Sequence, residues 1–488
     1  MIPSFKSLIL AAFFFVISHP IYAQKSLDFS KNGDIHKQVI HLWDTHYRDY
    51  FTSEIQRRLF EEGDVYVLYD VQIGGLQSFV EMTRRCKDTD QIAELVALLS
   101  PVLTTLEPLS DTDERIGWIC KGGRICTAYR RLGQEVRLCS AQFLGLLGAL
   151  ATNITENIPA RRRTIAEKEF LANTFNAMTL QMNRWLTPGY FASVEKRLPI
   201  TQADIKDKNS HYYFSDQDLW FLTILSDLSA LHRSGIQPAD GDGKKAFDEL
   251  LQKATGIQQT FDLFLARAFL APSSHGMRAD LDQGFWKFHY DNRYAGYTGA
   301  QSPVSWKENS AKNVEMITAV PWDSTYLAEN AGWDISHARR LVPALETFTR
   351  NLKHIRAVWG YDNPAFDPVA LRQAFANQLL EKIWNGDLNR PLFSNFWSGD
   401  NGWYRVAYAN QTGRQFVGYR PYGLSISIPS GGYPVWGAFD PTLHTLFTSL
   451  YELAQSDDPS AISFVEQHYT SAERIQSLSF LSDLVALR

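Results

Sequence analysis

Apolar residues recur three and four positions apart over most of this chain. Ile92, Leu95, Leu99 and Val102 step this way, as do Leu171, Phe175, Met178, Met182 and Trp185. The pattern returns at Leu345, Phe348, Leu352 and Ile355, and again at Leu443, Leu446, Phe447, Leu450 and Leu453. Side chains so spaced share one face of a helix, so each stretch predicts an amphipathic helix with its stripe turned to a core. Further stripes over 143–150, 219–231, 261–269 and 371–383 predict more of the same. Alternation with period two is scarce. Its clearest instance, Leu424-Ser-Ile-Ser-Ile428 between Gly423 and Pro429, predicts one short strand. The fold class read from this pattern is all-α, with minor β near 424–428.

Between the helices lie segments rich in Gly, Pro, Asn and aromatic residues. Two of them, 271–326 and 385–441, are long for structureless connections in a compact domain, and their aromatic load argues against disorder. No Ser/Gly/Pro-rich linker divides the chain, so residues 24–488 read as one helical domain. Helices joined by long aromatic loops predict an α/α toroid, a ring of helical hairpins whose loops build a cleft at one end. A helical-repeat superhelix is the competing arrangement.

The N-terminus has one early cation, Lys6, an apolar run from Leu8 to Ile17, a polar break and the small residue Ala23. This is the pattern of a removed export signal over 1–23, and the run is too short to span a bilayer comfortably. No later stretch reads as a membrane helix, so the expected product is exported, periplasmic or secreted. Four cysteines, Cys86, Cys120, Cys126 and Cys139, crowd the N-terminal third. In an oxidising compartment they predict at least one disulfide, with Cys120 and Cys126 the favoured pair across two turn-forming glycines. Their spacing does not match a zinc knuckle, and no metal or other cofactor is expected. The net charge of −5 over 488 residues, without a basic stripe, argues against nucleic acid as a partner.

Candidate chemistry gathers in four places. Glu329, Trp333, Asp334, His337 and Arg340 lie around one helix entry, where Asp334 could also be a simple N-cap. Pro343 requires that the helix kink there or restart with the proline in its first turn. The stretch 385–439 carries Trp397, Asp400, Trp403, Arg405, Tyr419 and Trp436 among many other aromatics; rings interleaved with polar groups suit a sugar, although the same rings could simply cap a core. The third place groups His289, Asp291 and Arg293. The fourth sets His211 and Tyr213 just before a helix predicted to be capped by Ser215, with Asp218 completing the box. The expected catalytic set is therefore Asp334, His337, Arg340, His289, Asp291, His211 and Tyr213. The expected substrate-binding set is Trp333, Glu329, Arg293, Trp397, Asp400, Trp403, Arg405, Tyr419 and Trp436. Asp334 and His337 are expected in an accessible cleft, faced by rings from 285–297 or 397–420. The sequence has no HExxH, GxSxG, phosphate-cradling or dinucleotide motif.

The serial amphipathic helices, the export signal and the Gly332-Trp-Asp-Ile-Ser-His-Ala-Arg-Arg340 segment resemble the α/α-toroid carbohydrate-active enzymes. That group includes polysaccharide lyases, six-hairpin glycosidases and sugar epimerases. The resemblance is one of architecture and carries no catalytic role over residue by residue. It implies an exported enzyme acting on a polysaccharide or oligosaccharide. Paired carboxylates across the cleft would favour hydrolysis, and a single His–Tyr–Arg cluster would favour elimination. The alternative is a non-catalytic helical envelope protein that binds polysaccharide or scaffolds its export or surface assembly.

Overall fold

The computed structural model describes residues 28–205, 210–282, 295–308, 314–318, 331–406, 408–409, 415–416 and 418–487. Residues 1–23, read as an export signal, and Glu329, His289, Asp291 and Arg293 lie outside the described residues. Helix outweighs strand, 64% to 8%, which places the chain in the all-α class. The periodic stretches fall in helices Thr89–Leu103, Ile165–Trp185, Leu341–Trp359 and Pro441–Ala454. The other stripes fall in Arg137–Asn157, Asp216–Arg233, Ala254–Arg267 and Pro368–Gln378, the last running on as a π-helical turn over Leu379–Ile383. Ile92, Leu95, Leu99 and Val102 are all fully buried, as the three-and-four spacing requires of a core-facing stripe. Each such side chain contributes about 1.5–3 kcal/mol of transfer free energy.

Helix starts follow local chemistry. The Ser215 hydroxyl accepts from Asp218 N at 3.1 Å while the Asp218 carboxylate accepts from Ser215 N at 2.9 Å, the expected capping box. Pro343 sits in the first turn of Leu341–Trp359, where a missing N–H breaks no helical bond. Arg137–Asn157 is long and apolar enough to cross a membrane, but it is buried inside the protein and is a core helix.

The described parts of the long connections contain local structure. Hairpins pair Ala268–Ser273 with Gly276–Leu281, and Val304–Glu308 with Val314–Thr318. The strand expected at 424–428 is absent. Ser425–Ser427 is instead a 3-10 turn, with Ser427 N bonding Leu424 O and Ile428 N bonding Ser425 O. Tertiary hydrogen bonds override the alternating pattern: Leu424 N donates to Asn395 Oδ1 at 2.9 Å, and the Ser425 hydroxyl accepts from Phe393 N at 3.0 Å. Those bonds occupy groups that a strand would have turned to a ladder.

Six elements pack in a closed circuit. Helix Gln77–Cys86 packs on Arg137–Asn157, that helix on Asp216–Arg233, and that in turn on Leu341–Trp359. The circuit passes through the 3-10 segment Tyr433–Ala438 to helix Leu478–Val485, which returns to Gln77–Cys86. Outside it, Thr89–Leu103, Ile165–Trp185, Ala254–Arg267 and Pro368–Gln378 pack against members of the circuit. A cavity of about 660 Å3, counting its open mouth, is lined by residues from all six elements, among them Glu81, Gln142, Trp220, Glu346, Val435 and Asp483. In the N-terminal third, Cys120 and Cys126 form a disulfide, which is compatible with an extracellular location. Cys86 and Cys139 remain buried thiols.

Candidate functional site

The 334–340 segment is a single turn held between two partners. Asp334 forms an antiparallel bridge with Phe396, Ile335 N bonds Asn395 O at 2.9 Å, and Tyr433 Oη donates to Ile335 O at 2.7 Å. The short helix Ile335–Ala338 follows, and Arg340 caps the next helix. With backbone anchored on both sides, the directions of His337, Arg339 and Arg340 are set by the turn rather than by solvent.

Asp334 is completely buried and fully engaged. Its Oδ1 accepts from Ser336 N at 3.0 Å, His337 N at 3.2 Å and the Ser336 hydroxyl. Its Oδ2 lies 2.7 Å from Nδ1 of His337. Burial alone would push the carboxyl up. The adjoining His337, the bonds from His337 and Ser336 and the nearby Arg405 outweigh burial and hold Asp334 well below the usual carboxylate range. Capping accounts for Oδ1 only. The Oδ2 contact orients an imidazole that is itself 23% exposed. With Nδ1–H donating to the carboxylate, the lone pair of His337 lies on Nε2.

Tyr404 completes the cluster. Its hydroxyl is 3.4 Å from Nδ1 of His337, and its ring stacks on Tyr419 with centroids 6.1 Å apart. The backbone bonds Tyr404 N to Tyr419 O at 2.9 Å and Tyr419 N to Tyr404 O at 2.8 Å hold the pair in register. Arg405 follows with φ 54°, a left-handed conformation that a side chain adopts at a cost of about 1–2 kcal/mol. Its guanidinium stands 5.4 Å from the centre of the Tyr404 ring. An oriented imidazole, a phenol and a cation thus meet beside one buried carboxylate.

The opposite face of the same turn looks into the cavity. Arg339 donates to the Tyr69 hydroxyl at 3.3 Å, and Arg340 lies 3.6 Å from Asp216. Arg340 lines the interior cavity and, on the dyad side, bonds the carbonyl of His337 at 3.4 Å.

The remaining expected residues divide. Trp333, Trp397, Trp403 and Trp436 are buried, so the ligand-stacking role expected of them is corrected to one of packing. Trp397 stacks on Tyr433 and donates to Ala279 O at 3.1 Å, while Trp403 donates to Gly299 O at 2.6 Å. Among the described residues no α-helix lies between 393 and 436, and these rings fill the core there. Tyr213 is likewise corrected from catalyst to structural residue: it is buried, and its hydroxyl donates to Ile205 O at 2.9 Å. His211 is exposed, in the 3-10 turn Ser210–Tyr212 that precedes helix Asp216–Arg233. Asp400 is half-buried and accepts from the Ser398 hydroxyl at 2.7 Å. Sequence reasoning missed Tyr404, Tyr69, Arg339, Asp216 and Tyr433 as members, because nothing in their local pattern marks long-range contacts. Among the described residues, no three His, Cys, Asp or Glu side chains are grouped to hold a metal ion. Compared with protein families, curated proteins and solved structures, the chain matches none.

Proposed function

We propose that the protein is an exported α/α-toroid enzyme that cleaves an acidic polysaccharide or oligosaccharide by elimination. The closed circuit of six elements around one cavity, with further helices outside it, supports a toroid over an open superhelix. The observation that carries the reaction class is the Asp334–His337–Tyr404 cluster, with a buried carboxylate aimed at Nδ1 and the imidazole partly exposed. Hydrolysis needs two available carboxylates flanking the bond. Asp334 is enclosed in hydrogen bonds, and Asp216 faces Arg340.

In the elimination, Nε2 of His337 takes the proton beside a uronate carboxyl while Asp334 stabilises the resulting imidazolium. The C–H electron pair forms a C=C bond, the C–O bond to the neighbouring sugar breaks, and the departing oxygen takes a proton from solvent; the buried Tyr404, its hydroxyl 3.4 Å from Nδ1, positions the imidazole. Arg405 supplies positive charge as the carboxylate accumulates electron density. No water is consumed. The test is a panel of acidic and neutral glycans followed for ultraviolet absorbance of unsaturated products and for new reducing ends. Both signals rising together on an acidic glycan is the expected result. Reducing ends without absorbance would mean hydrolysis, and neither signal, with glycan binding retained, would mean a scaffold.

A further inference from the structure

We propose that the cavity inside the circuit is a binding site for a small oxyanion, a carboxylate, sulfate or phosphate group, held by Arg339, Arg340 and the indole N–H of Trp220. The inference concerns the face of the turn opposite the dyad and does not depend on the reaction assigned to His337.

The first support is an excess of buried positive charge. Arg339 and Arg340 are adjacent and both line the cavity. Among the described residues Arg339 has no carboxylate within 4.0 Å, and its bond goes to the hydroxyl of Tyr69. Arg340 has Asp216 alone, at 3.6 Å, and lies over the Tyr69 ring at 6.0 Å. The carboxylates deeper in the cavity are matched by other cations. Glu81 is paired with Arg84 and Arg85, and Glu346 with Arg85 at 3.1 Å and Arg372 at 2.9 Å. Burial pushes the Asp483 carboxyl well above its ordinary value. Arg340 is thus partly balanced by Asp216, while Arg339 has no carboxylate partner among the described residues.

The second support is independent of charge. Arg340 is 4% exposed and Trp220 is 2% exposed, yet Arg340 Nε and Trp220 Nε1 have no hydrogen-bond partner among the described residues. Both residues line the same cavity. A buried donor without a partner costs about 1–3 kcal/mol, and native proteins carry few of them. Arg197 shows what a completed buried guanidinium looks like in this molecule: it holds Asp218 through two bonds of 2.7 and 3.1 Å and a carbonyl through a third. Arg340 has the burial without that carboxylate clasp. An oxyanion supplies several acceptor oxygens to planar N–H donors, which is the complement these groups lack. Trp220 is set in place by packing, since a Cβ on Gly145 would come within 2.4 Å of its ring. The helix beginning at Leu341 also presents its N-terminal end here, adding partial positive charge.

The test is calorimetric titration of the full disulfide-bonded chain with sodium sulfate, sodium phosphate, sodium glucuronate and glucose, at constant ionic strength balanced with chloride. At least one oxyanion should bind saturably, one per chain, and glucose should not. Trp220→Phe and Arg339→Gln should each weaken that binding at least tenfold, whereas Arg339→Lys should recover part of it. Saturation should raise the thermal midpoint of the wild type and leave that of Arg339→Gln unmoved, a readout that a purely structural role would not produce. Tighter binding of glucuronate than of either inorganic ion would identify the anion as a group carried on a saccharide; the reverse order would identify a free ion. Absence of saturable binding by all three oxyanions, or binding unchanged in both Trp220→Phe and Arg339→Gln, overturns the proposal. Because glycan cleavage is scored separately, either result leaves the elimination reading to its own test.

Discussion

The two faces of the 334–340 turn are built from the same seven residues and solve opposite problems. On one face, every oxygen of a buried carboxylate is accounted for, and the result is an imidazole fixed in direction. On the other, Arg340 lies 3.6 Å from Asp216, Arg339 bonds the Tyr69 hydroxyl, and Nε of Arg340 has no hydrogen-bond partner among the described residues. Satisfied polar groups position, whereas unsatisfied ones invite a ligand, because burial makes the missing partner expensive. The contrast with Arg197–Asp218 shows that the chain can complete a buried ion pair where only structure is at stake.

The largest expected effect tests the dyad face. His337→Asn keeps an amide N–H able to donate to Asp334 and removes Nε2. It should lower turnover by about 100- to 10,000-fold with little change in thermal midpoint. His337→Ala should lose comparable activity and also destabilise by about 1–3 kcal/mol, because it strands Oδ2 of a buried carboxylate. Normal turnover in His337→Asn would break the contrast by making the dyad structural.

Asp334→Asn should follow closely in size. Asn still caps the helix but gives up the stability that the ionised carboxylate contributes at neutral pH, so the midpoint should fall there; it also no longer fixes the imidazole tautomer or stabilises the protonated ring, and turnover should fall by about 100-fold or more. The wild type carries a further signature in its acid limb. A carboxyl held below its ordinary value contributes stability that is present above that value and is lost as pH falls through it. Wild-type midpoints should therefore drop more steeply than those of Asp334→Asn below about pH 4. Parallel acid limbs would count against the Asp334–His337 interaction.

A smaller effect comes from a region remote from both faces. Denatured, unreduced protein should expose two titrating thiols, Cys86 and Cys139, and reduction should destabilise the fold by about 2 kcal/mol. Four thiols would remove the disulfide.

Smallest is a change in slope. Burial raises the Asp227 carboxyl from 3.8 to about 6, with Arg350 and Asn351 opposing. A raised folded value gives stability that is present below the unfolded value and is lost as pH rises through the folded one. Midpoints of Asp227→Asn should accordingly be flatter than wild type between pH 4 and 6. Identical slopes would mean that Asp227 stays ionised throughout.

Legibility in the sequence differed by feature. The spacing of Ile92, Leu95, Leu99 and Val102, and of Leu443 through Leu453, determined helices because a helical stripe is a local property. Ser215 with Asp218 determined a cap for the same reason, and the pairing of Cys120 with Cys126 spans only a short loop. Asp334 and His337 were legible as neighbours on one turn. Tertiary structure alone decided that Leu424–Ile428 forms no strand, since Asn395 and Phe393 take its hydrogen bonds from about 30 residues away. It alone decided that Trp397 and Trp436 belong to the core, that Tyr404 reaches His337, and that Arg339 and Arg340 turn inward to a cavity lined by six elements. A side chain's chemistry is written in its own residue, but its partners are set by which distant segments the packed core brings against it.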